Sequence, residues 1–345
     1  MEKSLRDISW LVDEPTYRQD PALSYSTLAK YEREGYDKLD SLFDHISTPS
    51  LIEGSMVDCL ITGSQEEFDE QFYVANFPSM GDKELQIVNY LYSQFGDVHK
   101  ELSDIPATYI LNAANVYEFQ KNWKDDTRVR VLTERGQTYY SIKAWAGTKT
   151  IVDTETFYKV QAMVKALKES PATRGYFADD DELSPIRRYY QLKFKATFDN
   201  VNYRCMMDLV IVNYDKKTII PIDLKTSGKK EWHFEDSFMQ WMYMVQARLY
   251  AAILKANLEK DPYFKDFTME NYRFIVVNKE SLNPLVWEFP LTYATEDLVN
   301  ENGTIFRHPF TIGKELQGYL NLRPPVPNGI EQYGINTIKC LKVKP

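Results

Sequence analysis

DLVIVNYDKKTIIPIDLK, residues 208–225, decides how this chain is read. Two runs, CMMDLVIV (205–212) and TIIPIDLK (218–225), flank the polar break Asn213-Tyr214-Asp215-Lys216-Lys217. Short apolar runs bounded by turn residues predict a β-hairpin. The first run is apolar apart from Asp208, and the second carries Asp223 and Lys225 near its end. Strand side chains alternate between faces, so Asp223 and Lys225 point the same way. Closure that is symmetric about Asp215 and Lys216 sets Asp208 directly across from Asp223. Such neighbours have Cβ atoms roughly 4.5–5.5 Å apart, and like charges there destabilise a sheet. A divalent cation removes the repulsion. Hard ions such as Mg²⁺ take carboxylate oxygens plus water, polarise a phosphate and activate water. Lys225, one pleat on, is placed to orient that water or to steady charge developing on phosphorus. The competing reading is a solvated hairpin face, the usual home of Asp and Lys. Pro221 lacks an N–H and predicts an edge or a strand start.

The composition fits a large globular core: 345 residues, 43% hydrophobic and 26% charged. No apolar run approaches the roughly 20 residues of a membrane span, so no membrane partner is expected. The first residues, MEKSLRDISWLVDEP, contain no apolar stretch of the signal-peptide kind. Cys59, Cys205 and Cys340 are too scattered for a disulfide framework or a four-cysteine cluster. His45, His99, His233 and His308 lack zinc-ligand spacing. A reducing, cytoplasmic setting is the expectation. The net charge of −9 argues against indiscriminate coating of nucleic acid. It leaves room for a local basic groove, and basic residues gather around 121–149, at Arg187-Arg188 and at Lys229-Lys230.

Residues 1–23 read as an irregular arm. Ser24 or Ser26 caps a helix with a break at Gly35, and the loop Ser47-Thr48-Pro49-Ser50 follows. LIEGSMVDCLITG (51–63) has helical spacing, which sets Gly54 and Asp58 one turn apart on one face. Gly54 permits close approach there, and Asp58 presents a carboxylate. Ser64-Gln65-Glu66-Glu67 is a capping-box signature. Residues 82–122 and 153–170 have helical patterning, whereas 127–145 reads either as strands or as a helical excursion. Residues 171–188, with Asp179-Asp180-Asp181, read as a solvated loop. YYQLKFKATF (189–198) alternates cleanly and turns at Asp199-Asn200, giving three consecutive antiparallel strands. Asp236 or Ser237 caps one helix running to about Lys260, with Gln246 and Tyr250 four apart on one face. YRFIVVNKES (272–281) and LVWEFPL (285–291) predict two further strands, the first apolar enough to be central. The proline-rich stretch 323–327 lies in a strapped-on tail.

In order and context these pieces resemble the PD-(D/E)XK nuclease superfamily, in its RecB-type branch. The nearest likeness is to the exodeoxyribonuclease VIII-like exonucleases of phages and prophages. Gly54 through Asp58 match a G-x-x-x-H helix, with Asp in place of His. Asp208, Asp223 and Lys225 match D…(D/E)-x-K, and Gln246 and Tyr250 match Q-x-x-x-Y. The likeness spans about 24–290. It implies Mg²⁺ or Mn²⁺ on Asp208 and Asp223 with the Leu224 carbonyl, and Asp58 as a further ligand. It implies Lys225 acting on the hydrolytic water, and Gln246 and Tyr250 bracing the site against DNA.

The expected fold is α/β (α+β), a restriction-endonuclease-like core with a central mixed sheet flanked by helices. The expected layout is an arm (1–23), one nuclease domain (24–300) with a helical insertion at about 80–170, and a tail (301–345). The implied activity is metal-dependent DNA exonuclease action on duplex ends in recombination or replication. An endonuclease or nickase on the same site, and a catalytically silent DNA-binding or assembly module, are the alternatives. DNA is the implied partner. A single-strand annealing protein and self-association follow by family analogy alone.

Overall fold

The computed structural model describes residues 3–44, 48–181, 183–293 and 297–322. His45, Ser47, Cys340 and the proline-rich stretch 323–327 lie outside them. In chain order, α1 (Glu14–Gln19) and α2 (Tyr25–Glu34) precede α3 (Pro49–Thr62), α4 (Gln65–Gln71), β1 (Phe72–Ala75) and α5 (Asp82–Phe95). Then come α6 (Ala107–Val116), α7 (Asp125–Ala146), β2 (Thr150–Asp153) and α8 (Thr154–Glu169). The second half holds β3 (Ile186–Phe198), β4 (Val201–Asn213), β5 (Thr218–Ser227), α9 (Phe234–Gln240) and α10 (Tyr243–Lys260). It closes with β6 (Thr268–Met269), β7 (Tyr272–Asn278), β8 (Pro284–Phe289), β9 (Leu298–Val299), β10 (Ile305–Phe306) and α11 (Pro309–Leu322). These elements form two compact units, one of residues 1–48 with 166–345 and the other of residues 49–165.

The first unit is a mixed sheet flanked by helices. Its strand order is β3-β4-β5-β7-β8, with β6 also on β5. The β3–β4–β5 meander is antiparallel, β7 runs parallel to β5, and β8 returns antiparallel. Asp199 and Asn200 both take positive φ (49° and 62°), the two-residue turn whose twist suits a tight hairpin. The next turn fixes the register of the hairpin that matters. Asn213 Oδ1 accepts from the Lys216 amide at 3.0 Å, and Leu209 pairs Ile222 while Asn213 pairs Thr218. That is the symmetric closure expected from the sequence. The ladder stops there, one pair short of Asp208 and Asp223.

Pro221 is not at an edge or a strand start: it lies buried inside β5, opposite Val210. The parallel partner of β5 changes from β6 at Ile219 to β7 at Ile222. The proline sits in that gap, where no ladder bond on that side needs its N–H. Between β5 and β7 the chain crosses over through α9 and α10, as parallel strands require. Eleven of the 18 residues of α10 are buried, so it is a core helix, and α2, α10 and α11 pack together around the sheet.

Several expectations need correction. Residues 1–23 are not an irregular arm: they hold a 3₁₀ turn (Leu5–Ile8) and α1, and Leu23 hydrogen-bonds β4 through Asn202 and Arg204. The single helix expected from Asp236 or Ser237 is two, broken at Met242 (φ 59°). Both proposed caps lie inside α9. Ser24 occupies the N-cap of α2, and Ser26 is helical. Gly35 ends that helix at φ 76°, as expected.

The second unit is mostly helical. The stretch 127–145 is helix, part of the 22-residue α7. It packs on α5 so closely that a Cβ on Gly136 would lie 2.7 Å from a Val88 methyl. Burial of Ile87, Val88, Leu91, Leu132 and Tyr140 forms its core, each side chain contributing about 1.5–3 kcal/mol. The parallel pair β1–β2 was not foreseen, because four residues leave too short a period to read. The Ser64 capping box opens α4 as expected.

Candidate active site at the open end of the hairpin

Beyond Leu209 and Ile222 the β4–β5 ladder gives way to side chains. Asp208 Oδ2 accepts a 2.8 Å hydrogen bond from the Leu224 amide, standing in for a ladder carbonyl. The N–H and C=O of one strand residue point to the same side, so the Leu224 carbonyl also faces β4. Two residues along β5 share one face, and there Lys225 Nζ forms an ion pair with Asp223 Oδ2. Asp223 is 2% exposed. Its other oxygen, Oδ1, accepts from Gln246 Nε2 at 2.5 Å.

Helix α10 supplies the wall. Its start is set by Met242 in the left-handed region, and Tyr25 of α2 donates to the Trp241 carbonyl at 2.6 Å, an acceptor released by that break. From there Tyr243, Gln246 and Tyr250 recur at helical spacing and share a face. The Lys225 ammonium lies 4.8 Å from the Tyr243 ring centroid, in cation–π range. Tyr250 is buried near Asp223, Asp208 and Tyr17, and burial pushes its pKa far up, so it stays a neutral phenol.

Burial alone would push the Lys225 pKa down. Asp223 beside it, then Tyr243 and Asp208, outweigh this and raise it. Lys225 is therefore an ammonium across the physiological range. A raised pKa favours the ammonium form, which suits Lys225 to stabilising negative charge.

The donor set fits a hard cation that keeps much of its water. It comprises two carboxylates on neighbouring strands and one carbonyl on the same side. Asp223 Oδ2 is taken by the Lys225 ammonium, and beside it Gln246 Oε1 is buried and accepts no hydrogen bond. Among the described residues, no group of three or more His, Cys, Asp or Glu side chains is gathered to hold a metal ion. Asp58 and Gly54 lie half-buried, one turn apart on α3 of the other unit.

The sequence, compared with models of known families and with curated proteins, matches none. Among solved structures it is similar to a protein described as "Putative exonuclease" from Eubacterium rectale. The TM-score is 0.40 and the identity 10%, over 91% of this chain and 85% of that one. A likeness so distant transfers neither fold nor chemistry to this chain.

The structure thus brings Asp208, Asp223, Leu224, Lys225, Gln246 and Tyr250 into one neighbourhood. Tyr243 and Tyr25 also belong to it, and sequence reasoning missed them. The pattern Y-x-x-Q-x-x-x-Y, one stripe on α10, was the available signal for Tyr243. Tyr25 carried no signal, since its contact spans 216 residues of chain. The acidic triplet carries a structural bond: Asp180 pairs with Arg188 at 2.7 Å. No helix among the described residues is long and apolar enough to cross a membrane.

Proposed function

We propose that this chain is a metal-dependent nuclease that hydrolyses phosphodiester bonds at DNA ends. One observation carries the reading. A buried carboxylate, Asp223, is held between an ammonium and an amide where the ladder opens, with a second carboxylate, Asp208, across the opening. A sheet built for stability alone would continue its ladder there with apolar pairs, as it does from Leu209 to Val212.

Asp208, Asp223 and the Leu224 carbonyl would hold Mg²⁺ or Mn²⁺, which supplies Lewis acidity toward the phosphodiester. The chain's own residues do the rest. Gln246 fixes the rotamer of Asp223. Lys225 offsets the charge that builds on phosphorus as water attacks, and Tyr243 shields that ammonium from solvent.

The test is direct. Purified protein with Mg²⁺ or Mn²⁺ should release acid-soluble nucleotides from linear duplex DNA and leave closed circular DNA intact. Nicking of the circle would mark an endonuclease on the same site. Inertness toward both, together with no heat of divalent-metal binding by calorimetry, would leave a silent binding module.

A further inference from the structure

The open end of the hairpin adjoins an aromatic surface that the chemistry above does not use. Trp241 sits in the two-residue break between α9 and α10 and is 45% exposed. Its carbonyl is pinned by Tyr25, and Tyr243, two residues on, faces the Lys225 ammonium. The indole therefore projects from a backbone fixed at the edge of the candidate active site. Arg33 of α2 places its guanidinium 5.3 Å from the centroid of that ring. Lys229, just past β5, donates to Gln240 at 3.1 Å, which brings the basic pair Lys229-Lys230 beside the same break. Met242, next to Trp241, takes the left-handed conformation (φ 59°) and turns the chain at this point. Aromatic faces flanked by cations are the surface on which proteins stack unpaired bases, because every base offers a π-face and every nucleotide a phosphate.

We infer that Trp241, with Arg33, is a stacking platform for an unpaired base, so the substrate is taken as a single-stranded or frayed end. The inference rests on the nuclease reading for the position of the scissile phosphate. The platform itself is tested without cleavage. A fluorescent single-stranded oligothymidylate is titrated in EDTA, and binding is followed by anisotropy and by quenching of indole emission. Wild type should bind and quench, and Trp241→Ala should bind about tenfold more weakly. Trp241→Phe, which keeps a ring, should recover most of that loss. On a probe of the same length with abasic residues, wild type and Trp241→Ala should bind alike. A general folding defect would not produce that convergence, and circular dichroism checks the fold of each variant. Equal affinity of wild type and Trp241→Ala for oligothymidylate, or no binding by wild type, overturns the platform. Binding that behaves as expected beside an inert Mg²⁺ or Mn²⁺ cleavage assay overturns the nuclease reading alone.

Discussion

Two clusters in the sheet-bearing unit each join one cation to carboxylates, and they differ in what is left over. In the first, Arg307 donates through Nε to Glu32 at 2.9 Å and through Nη1 to Glu315 at 2.8 Å, with Nη2 also on Glu32. Tyr31 donates to the remaining Glu315 oxygen. The cluster ties α2 to α11, and every carboxylate oxygen in it is used. In the second, Lys225 meets Asp223, Gln246 braces Asp223, and Asp208 caps the Leu224 amide. There the Lys225 ammonium takes Asp223 Oδ2, and Gln246 Oε1 is buried and accepts no hydrogen bond. Buried acceptors are normally bonded. The closed cluster satisfies every acceptor it holds, whereas the second leaves a buried acceptor over, which the proposed site would use. The same ingredients therefore separate a structural ion pair from a candidate site by their remainder.

The most severe way to break this comparison is at Lys225. Lys225→Met keeps the length of the side chain and removes its charge. Cleavage should fall by at least about 100-fold, the scale of losing one group that stabilises transition-state charge. The variant also leaves Asp223 buried without its counter-charge, at a cost of about 3–5 kcal/mol in stability, so circular dichroism must accompany the rates. Activity within a few-fold of wild type in a folded protein would reduce the cluster to an ordinary ion pair.

A smaller effect sharpens the same contrast. A ligand that binds only the folded state at 100 times its Kd stabilises by about 2.7 kcal/mol. Mn²⁺ should raise the melting temperature of wild type accordingly. Asp208→Asn should abolish the rise, and Arg307→Ala should keep it. An equal rise in Asp208→Asn would place the metal elsewhere.

How far the residues announced all this depends on the range of the interaction. The hairpin register was legible because turn residues and an apolar pattern are local, and Leu209–Ile222 pairing follows from them. The approach of Gln246 to Asp223 was legible only through a family resemblance, since it joins residues 23 apart through a crossover. The opening of the ladder was not legible. It arises because the Asp208 side chain takes the Leu224 amide that the register would give to the Met207 carbonyl, a choice that three-dimensional context makes. The Arg307 cluster was equally hidden: its partners lie 275 and 8 residues away, and nothing in its immediate sequence selects them.

On the closed cluster the expected effect is on stability alone. Arg307→Ala removes charged hydrogen bonds to Glu32 and Glu315, each worth about 1.5–3 kcal/mol where buried. The Arg307 and Glu315 side chains are 31% and 38% exposed, so the total loss should sit at the low end of that range. Urea midpoints would fall while cleavage stays at the wild-type rate. A fall in cleavage without a fall in stability would mean that α2 and α11 transmit to the site.

The smallest effect is one of pH, and it has opposite signs at the two clusters. The Arg307 guanidinium, then the Tyr31 hydroxyl, hold Glu315 below the usual carboxylate range. A carboxylate whose folded pKa is depressed contributes stability above its unfolded value, near ~4.3, and loses it as pH falls through the folded value. Partial exposure keeps that contribution below about 1 kcal/mol. Unfolding free energies of wild type and Glu315→Gln should therefore differ by a constant amount above about pH 5 and converge in more acid solution. Lys225 behaves the other way. Its folded pKa is raised, so its contribution is complete below the unfolded lysine value and is lost only as pH rises past it. The acid titration thus reports on the closed cluster without interference from Lys225. A wild-type minus Glu315→Gln difference that stays flat from pH 3 to 7 would show that Arg307 does not hold Glu315, and the closed cluster would lose the saturation that sets it apart.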